Sequence, residues 1–161
     1  MQRSSPNTEN LETVIEKYAD MLYRICLIML KNESDAEDVV QDTFLRYYQK
    51  ATMFQSSEHE KAWLIRVATN RSRDLLRFRA RHPQVESTEA VVVAQELSDG
   101  AILEALAAVP EKYRLVLTLY YIEEYRIEDI AKIIHRTTSA VKMRLQKGRK
   151  ILEDIYRKEY L

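Results

Sequence analysis

Residues 127–152 read IEDIAKIIHRTTSAVKMRLQKGRKIL, and the fold is decided here. Ile127, Ile130, Ala131 and Ile134 recur at three and four and make one apolar helical stripe. After a polar turn, Val141, Leu145, Gly148 and Leu152 fall within one narrow sector of a second helix. Ser139, Lys142, Met143, Gln146, Lys147 and Lys150 lie opposite, flanked by Arg144 and Arg149. A short helix, a tight turn and a longer helix with a basic, hydrogen-bonding outer face make a helix-turn-helix. The second helix of such a unit fits a DNA major groove. The plainer alternative is a lysine-rich surface helix of an ordinary bundle; the placement of both stripes around the turn favours the helix-turn-helix. His135 stands where such turns often use glycine. Histidine is among the better non-glycine residues at positive φ, so it reads as a turn residue rather than a catalyst or ligand.

Upstream, Ile102, Leu103, Leu106 and Val109 predict a short helix in a unit that begins near Ser98. Pro110 suits the first turn of the next helix, which carries Tyr113, Val116, Leu117 and Tyr120. The final helix is expected from Thr138 to about Tyr156. Residues 83–98 contain no Lys or Arg and read as a linker. The run Val91-Val92-Val93 is too apolar for a free tether, so part of the linker is expected to dock.

The N-terminal half predicts three helices. Leu11, Val14, Ile15, Tyr18, Leu22, Ile25 and Met29 give a first helix over roughly 10–31. Ser34-Asp35-Ala36-Glu37 has the form of a capping box opening a second helix to about Ala51, with acids in its first turn where the helix dipole favours them. Ser57-Glu58-His59-Glu60 is a second such box, opening a third helix to about Arg81. His82-Pro83 ends the unit, because proline disfavours helical geometry in the residue before it. On the third helix Trp63, Arg66, Asn70, Arg73, Asp74, Arg77 and Arg81 share one face, and Leu64, Val67, Ala68, Leu75 and Phe78 share another. Arginine neutralises phosphate, Trp63 offers a π-face and Asn70 can reach a base edge, which suits unstacked nucleic acid. Phe54, just upstream, adds a second aromatic surface. For Trp63, a core position and a nucleic-acid face weigh about equally.

Composition bounds the rest. The 161 residues carry 25 basic and 25 acidic side chains, a formal net charge of zero. That total hides blocks. Residues 61–82 hold seven basic residues against Asp74 alone, and 135–161 hold eight basic against three acidic. Residues 1–60 and 83–111 are acidic. Charge in blocks points to partners. Two glycines and three prolines disfavour hairpin-rich sheets, Rossmann units and phosphate loops, so the class is all-α. The single Cys26 allows no internal disulfide and no cysteine-based metal site; it reads as a buried, reduced thiol. The polar N-terminus is no signal peptide, no apolar run reaches membrane-spanning length, and the expected compartment is the cytoplasm. His59, His82 and His135 form no zinc-hydrolase pattern, and neither an enzyme, a metal nor a cofactor is expected.

Together these segments resemble an RNA polymerase sigma factor of the extracytoplasmic function type, group 4 of the sigma-70 family. SDAEDVVQDTFLRYYQ (34–49) is similar to the region 2 helix that binds the β′ coiled coil of core polymerase. AWLIRVATNRSRDLLR (62–77) is similar to the segment that melts and reads the −10 element. VPEKYRLVLTLYYIEEYRIEDIAKII (109–134) with TTSAVKMRLQKGRKIL (137–152) is similar to region 4, which reads the −35 element. The resemblance covers about 10–158. It implies two small helical domains, a region 2 bundle over 8–82 and a region 4 helix-turn-helix over 99–161, joined by a linker over 83–98 that threads the RNA exit path.

Residue by residue, the resemblance implies core-polymerase contacts from Asp35, Glu37, Asp38, Val40, Gln41, Asp42 and Phe44. It implies −10 contacts from Phe54, Trp63, Arg66, Asn70, Arg73 and Arg77. It implies −35 contacts from Thr138, Ser139, Lys142, Met143, Arg144, Gln146 and Lys147. Implied partners are core RNA polymerase (β′ coiled coil and β flap), promoter DNA and an anti-sigma factor. The chain departs from the family at Ser139-Ala140, where Gly-Thr is common, at Met143, where serine is common, and at His135-Arg136, where glycine plus an apolar residue is common, so the resemblance implies the fold but no −35 sequence preference. The implied activity is promoter-specific initiation without catalysis. The competing reading is a stand-alone helix-turn-helix regulator on duplex DNA. It explains 127–152 equally well, but not an acidic helix beside an aromatic-containing basic stripe.

Overall fold

The computed structural model describes residues 6–50, 54–82 and 100–161. Seven α-helices occupy them: α1 Pro6–Leu30, α2 Glu33–Gln49, α3 Ser57–Arg81, α4 Gly100–Ala108, α5 Glu111–Leu117, α6 Ile127–Ile134 and α7 Thr138–Tyr160. A π-helical turn, Thr118–Ile122, continues α5. The expected docking of Val91–Val93 and the linker over 83–98 lie outside the described residues.

α1, α2 and α3 pack together in the first unit. Leu22, Ile25, Met29, Ala36, Leu64, Ile65 and Ala68 are fully buried between them. Cys26 joins this core, and Ser72 Oγ lies 3.7 Å from its sulfur while also bonding the Ala68 carbonyl at 2.9 Å. Loss of water pushes the thiol up to about 12, and Cys26 is a free, buried cysteine, as expected.

Two helix starts differ from expectation. α2 is capped by Asn32, whose Oδ1 accepts from the Asp35 amide at 2.9 Å; Ser34 lies inside the helix. α3 is capped by Ser56, whose Oγ accepts from the His59 amide at 3.1 Å, and Ser57 is its first residue. In both cases an adjacent oxygen-bearing residue in extended geometry does the capping. Phe78 is exposed and stacks on His82 at 4.3 Å between ring centroids, so the apolar face of α3 stops short of it.

In the second unit α4, α5, α6 and α7 enclose Leu106, Val109, Val116, Leu117, Leu119, Ile130, Val141 and Leu145. Arg114 is buried and donates from Nη1 to the Ala107 carbonyl at 2.7 Å, satisfying an open acceptor at the end of α4. Gly148 lets α7 approach α5: a Cβ there would sit 3.1 Å from Leu117 Cδ1 and 3.2 Å from Tyr113 Cβ. His135 takes φ 54°, ψ 49°, the left-handed cap expected of it, and the Arg136 amide closes on the Ala131 carbonyl at 3.0 Å, in the manner of a Schellman end. α7 runs four residues beyond the expected Tyr156, with Tyr156 and Tyr160 stacked and Tyr160 bonded to Glu104 of α4.

The two units touch. Arg24 of α1 forms a two-pronged pair with Glu123, just after the π-turn, and Tyr125 donates to the Met21 sulfur. The buried residues of both units form one continuous cluster.

Candidate nucleic-acid and partner interfaces

α2 presents a groove against α1. Leu11, Ile15, Ala19, Tyr23, Val40, Phe44, Leu45 and Tyr48 line about 1050 Å³ of open space, with Asp20, Glu37, Asp38 and Asp42 at its rim. Ile15, Leu45 and Tyr48 are large apolar side chains that remain exposed. Clustered exposure of this kind, edged by charge, suits docking of another protein. Of the residues expected on this surface, Glu37, Asp38 and Gln41 are exposed, Val40 is half-buried and Phe44 forms the floor. Asp35 and Asp42 are committed elsewhere: Asp35 pairs with Arg79, and Asp42 with Arg71 at 2.5 Å and Arg46 at 3.4 Å. Leu45 and Tyr48 were not singled out from the sequence. Their signal was present, as apolar residues off the core stripe of an otherwise polar helix.

The start of α3 carries an aromatic box. Phe54 stacks on Tyr47 at 5.8 Å and meets Trp63 at 5.5 Å, with His59 edge-on at 5.5 Å. Lys50 Nζ lies 5.1 and 5.3 Å from the Phe54 and Trp63 ring centroids, within cation–π range. Tyr47 donates to Glu60 Oε2 at 2.8 Å; desolvation and that carboxylate raise its pKa. Trp63 is therefore half-buried in a small satellite cluster, neither deep in the core nor free on the surface. Lys50, the C-cap of α2, is not among the residues that the sequence places here, since only the packing of α2 against α3 brings it to the box.

Further along α3, Asn70 and Arg77 are exposed. Arg66 and Arg73 are not free. Arg66 donates from Nε to the Ile133 carbonyl and from Nη2 to the Lys132 carbonyl, both at 3.0 Å. Arg73 pairs with Glu111 at the start of α5. The stripe read from the sequence thus divides into a free portion and a portion facing the second unit.

On α7 the outer face is as expected. Thr138, Ser139, Lys142, Met143, Gln146 and Lys147 are exposed, opposite buried Val141, Leu145 and Gly148. Thr137 caps the helix, its Oγ1 accepting from the Ala140 amide at 3.1 Å. Arg144 is half-buried, and burial together with nearby Arg136 and Arg73 lowers its pKa. On the far side of this unit, Ile102, Leu106, Leu117, Ile122, Leu152 and Tyr156 line a second apolar groove of about 490 Å³. Among the described residues no group of three or more His, Cys, Asp or Glu could hold a metal ion, and no helix is long and apolar enough to cross a membrane.

Two family models match the chain: Sigma-70 region 2 over residues 14–82 and Sigma-70, region 4 over residues 99–152. The ECF RNA polymerase sigma factor SigW of Bacillus subtilis (strain 168) is 32% identical, covering 86% of this chain and 84% of its own length. The RNA polymerase sigma factor SigV of the same organism is 27% identical over 100% of this chain and 99% of its own. Among solved structures, CnrH in complex with the cytosolic domain of CnrY aligns with a TM-score of 0.75 at 24% identity, over 96% of this chain and 92% of that one. The sigma factor RpoE of Bartonella quintana, solved with the anti-sigma factor NepR, aligns at 0.72 and 19% identity, over 94% and 99%. These two establish the shared all-α, two-domain fold.

An acidic-rimmed groove, an aromatic box beside a basic helix and a helix-turn-helix, in that order, define a promoter-specificity subunit. The chain belongs to the sigma-70 family, as a sigma factor of the extracytoplasmic function branch that directs promoter-specific transcription initiation. A stand-alone helix-turn-helix regulator would not account for the region 2 match. None of the matched names carries a catalytic activity.

Proposed function

We propose that the three surfaces divide the work of initiation. The groove between α1 and α2, with Glu37, Asp38, Val40 and Gln41 on its α2 side and Phe44 at its floor, takes the β′ coiled coil of core polymerase. Asp35 and Asp42 act there by positioning α2 on α3 through Arg79 and Arg71. The apolar groove of the second unit takes the β flap.

Phe54 and Trp63 receive an unstacked base of the melted −10 strand, Asn70 hydrogen-bonds an adjacent base edge, and Arg66, Arg73 and Arg77 follow the phosphates. Flipping a base costs a few kcal/mol, offset by stacking and hydrogen bonds in the pocket. Lys142, Arg144 and Lys147 neutralise phosphates at the −35 element, with Thr138, Ser139, Met143 and Gln146 toward base edges.

The protein acts in the cytoplasm and catalyses nothing itself; polymerase supplies the chemistry. The working units are 8–82 and 99–161, with 83–98 as the linker. An anti-sigma factor is the expected regulator, as two structural neighbours were solved with partners of that kind or with a cytosolic partner domain.

The observation that carries this reading is the arrangement of α7, whose exposed face is polar and basic along the length that would lie in a groove while its other face is buried. In vitro transcription with core enzyme on a randomised promoter library tests it. Enrichment of a two-part motif, lost on Asn70→Ala in one part and on Gln146→Ala in the other, is the expected result. Transcripts independent of the added chain would overturn it.

A further inference from the structure

Lys50 brings a charge to the aromatic box. Its backbone is fixed as the C-cap of α2, the amide donating to the Arg46 and Tyr47 carbonyls at 3.0 and 3.2 Å. From there Nζ lies 5.1 Å from the Phe54 ring centroid and 5.3 Å from that of Trp63. The two rings are tilted by 56° to each other, and the ammonium stands over both. Glu60, the carboxylate beside the box, accepts from the Tyr47 hydroxyl at 2.8 Å. Tyr47 in turn stacks on Phe54, 13° from parallel. Among the described residues the Lys50 ammonium has neither a hydrogen-bond acceptor nor an ion pair.

An ammonium carries three N–H donors and no acceptor. A ring face attracts its charge but offers the donors no lone pair. A base that enters the box takes over a ring face and leaves the ammonium at its edge. Guanine, cytosine and thymine each carry a carbonyl oxygen there or nearby. Adenine carries none; it offers ring nitrogens beside an amino group that is itself a donor. A site built to hydrogen-bond a group rejects the analogue that lacks it, because its own polar atoms are then left unpaired.

We propose that Lys50 is a specificity-determining residue of the −10 site, favouring a captured base that bears a carbonyl oxygen over adenine. This rests on the proposed capture of an unstacked base by Phe54 and Trp63. Stacking alone tolerates any sequence, since every base has a π-face, so the rings leave the choice of base to a polar neighbour. A backbone phosphate is the other acceptor an ammonium could meet. Nζ lies over the ring faces, where a base and not its phosphate goes in order to stack.

The test uses core polymerase loaded with the full chain. A promoter enriched from the randomised library is rebuilt with each of the four bases at every −10 position in turn. Initial transcription rates are compared for the parent, Lys50→Met, Lys50→Arg and Phe54→Ala. Methionine keeps an unbranched stem without the donors, and arginine restores them. In the parent, adenine should be the poorest base at one position by roughly tenfold, the scale of one hydrogen bond to a charged group. Lys50→Met should level the four bases at that position and no other. Lys50→Arg should keep the discrimination, and Phe54→Ala should lose it at the same position.

A parent with no position that disfavours adenine would overturn the proposal. So would a fall in Lys50→Met that is equal for all four bases, the mark of a phosphate contact or a structural role. Phe54→Ala defective, with the parent's base ranking intact in Lys50→Met, would overturn the role of Lys50 and leave base capture standing. Phe54→Ala identical to the parent at every −10 position would overturn base capture by the box, and the role of Lys50 with it.

Discussion

Arg24 and Glu123 are 99 residues apart in sequence and meet by two parallel hydrogen bonds, Nε to Oε1 at 2.6 Å and Nη2 to Oε2 at 2.9 Å. The carboxylate side chain is only 6% exposed, the guanidinium 34%. A forked pair of this kind gains from geometry as well as charge. Removing one partner leaves the other desolvated and unpaired. Glu123→Gln should therefore lower stability by about 1–3 kcal/mol, read as a shift in the urea midpoint. Replacing both residues by apolar side chains of similar size should return much of the loss.

Asp38 and Asp42 both lie on α2 but have different surroundings. Asp38 is exposed at the groove rim, whereas Asp42 holds Arg71 and Arg46. Asp38→Lys should weaken capture of core polymerase while leaving the melting temperature within the scatter of surface changes, about 0.5 kcal/mol. Asp42→Lys should lower both, by about 1 kcal/mol or more in stability, because it sets like charges beside Arg71. Pull-down and thermal unfolding on the same preparations separate the two effects.

Lys142 projects from the exposed face of α7. If it meets a phosphate, Lys142→Ala should weaken promoter binding evenly across sequences and reduce the slope of log affinity against log salt by about one. Lys158→Ala, in the last turn of the same helix, should leave the slope as it is. Filter binding over a salt series gives both numbers.

Cys26 is a pH probe of the first unit. Burial pushes its pKa up to about 12, from 9.0 for a free thiol. The folded state thus keeps a proton that the unfolded state releases. This contribution to stability is complete below pH 9 and is lost as pH rises toward 12. The native thiol should resist iodoacetamide at pH 8 and react on unfolding. Denaturant titrations at pH 8 and pH 10 should show the midpoint falling, and Cys26→Ala should flatten that fall.

Local pattern and tertiary contact were unequally legible in the sequence. α6 is legible to the residue, Ile127–Ile134, because its apolar stripe and turn histidine agree. The exposure of Lys142, Met143 and Gln146 followed from the same 3.6-residue period. The caps of α2 and α3 were each misplaced, since Asn32 and Ser56 compete with Ser34 and Ser57 and only backbone geometry chooses between them. Arg66 and Arg73 were placed correctly on a basic stripe, yet their partners Ile133, Lys132 and Glu111 lie far along the chain. Periodicity carries no information at that range. The π-turn left no mark in composition or spacing.

That turn has a consequence of its own. The Glu123 amide reaches back five residues to the Thr118 carbonyl at 3.0 Å, and the Tyr125 amide reaches the Leu119 carbonyl at 2.9 Å. A π-turn of this kind accommodates one residue more than the α-helix it interrupts. Deleting one residue from 118–122 would let the segment relax into ordinary helix. Everything beyond it would keep its orientation, because the deletion removes only the extra residue. Deleting one residue from Glu111–Leu117 would instead turn everything beyond by about 100°, the angle of a single helical step, and Glu123 and Tyr125 would swing away from Arg24 and Met21 while every side chain involved kept its identity. Coupling between the domains is therefore tolerant of a change of length inside the π-turn and exposed to one just before it, and an alignment gap in α5 would mark relatives whose domains are joined differently.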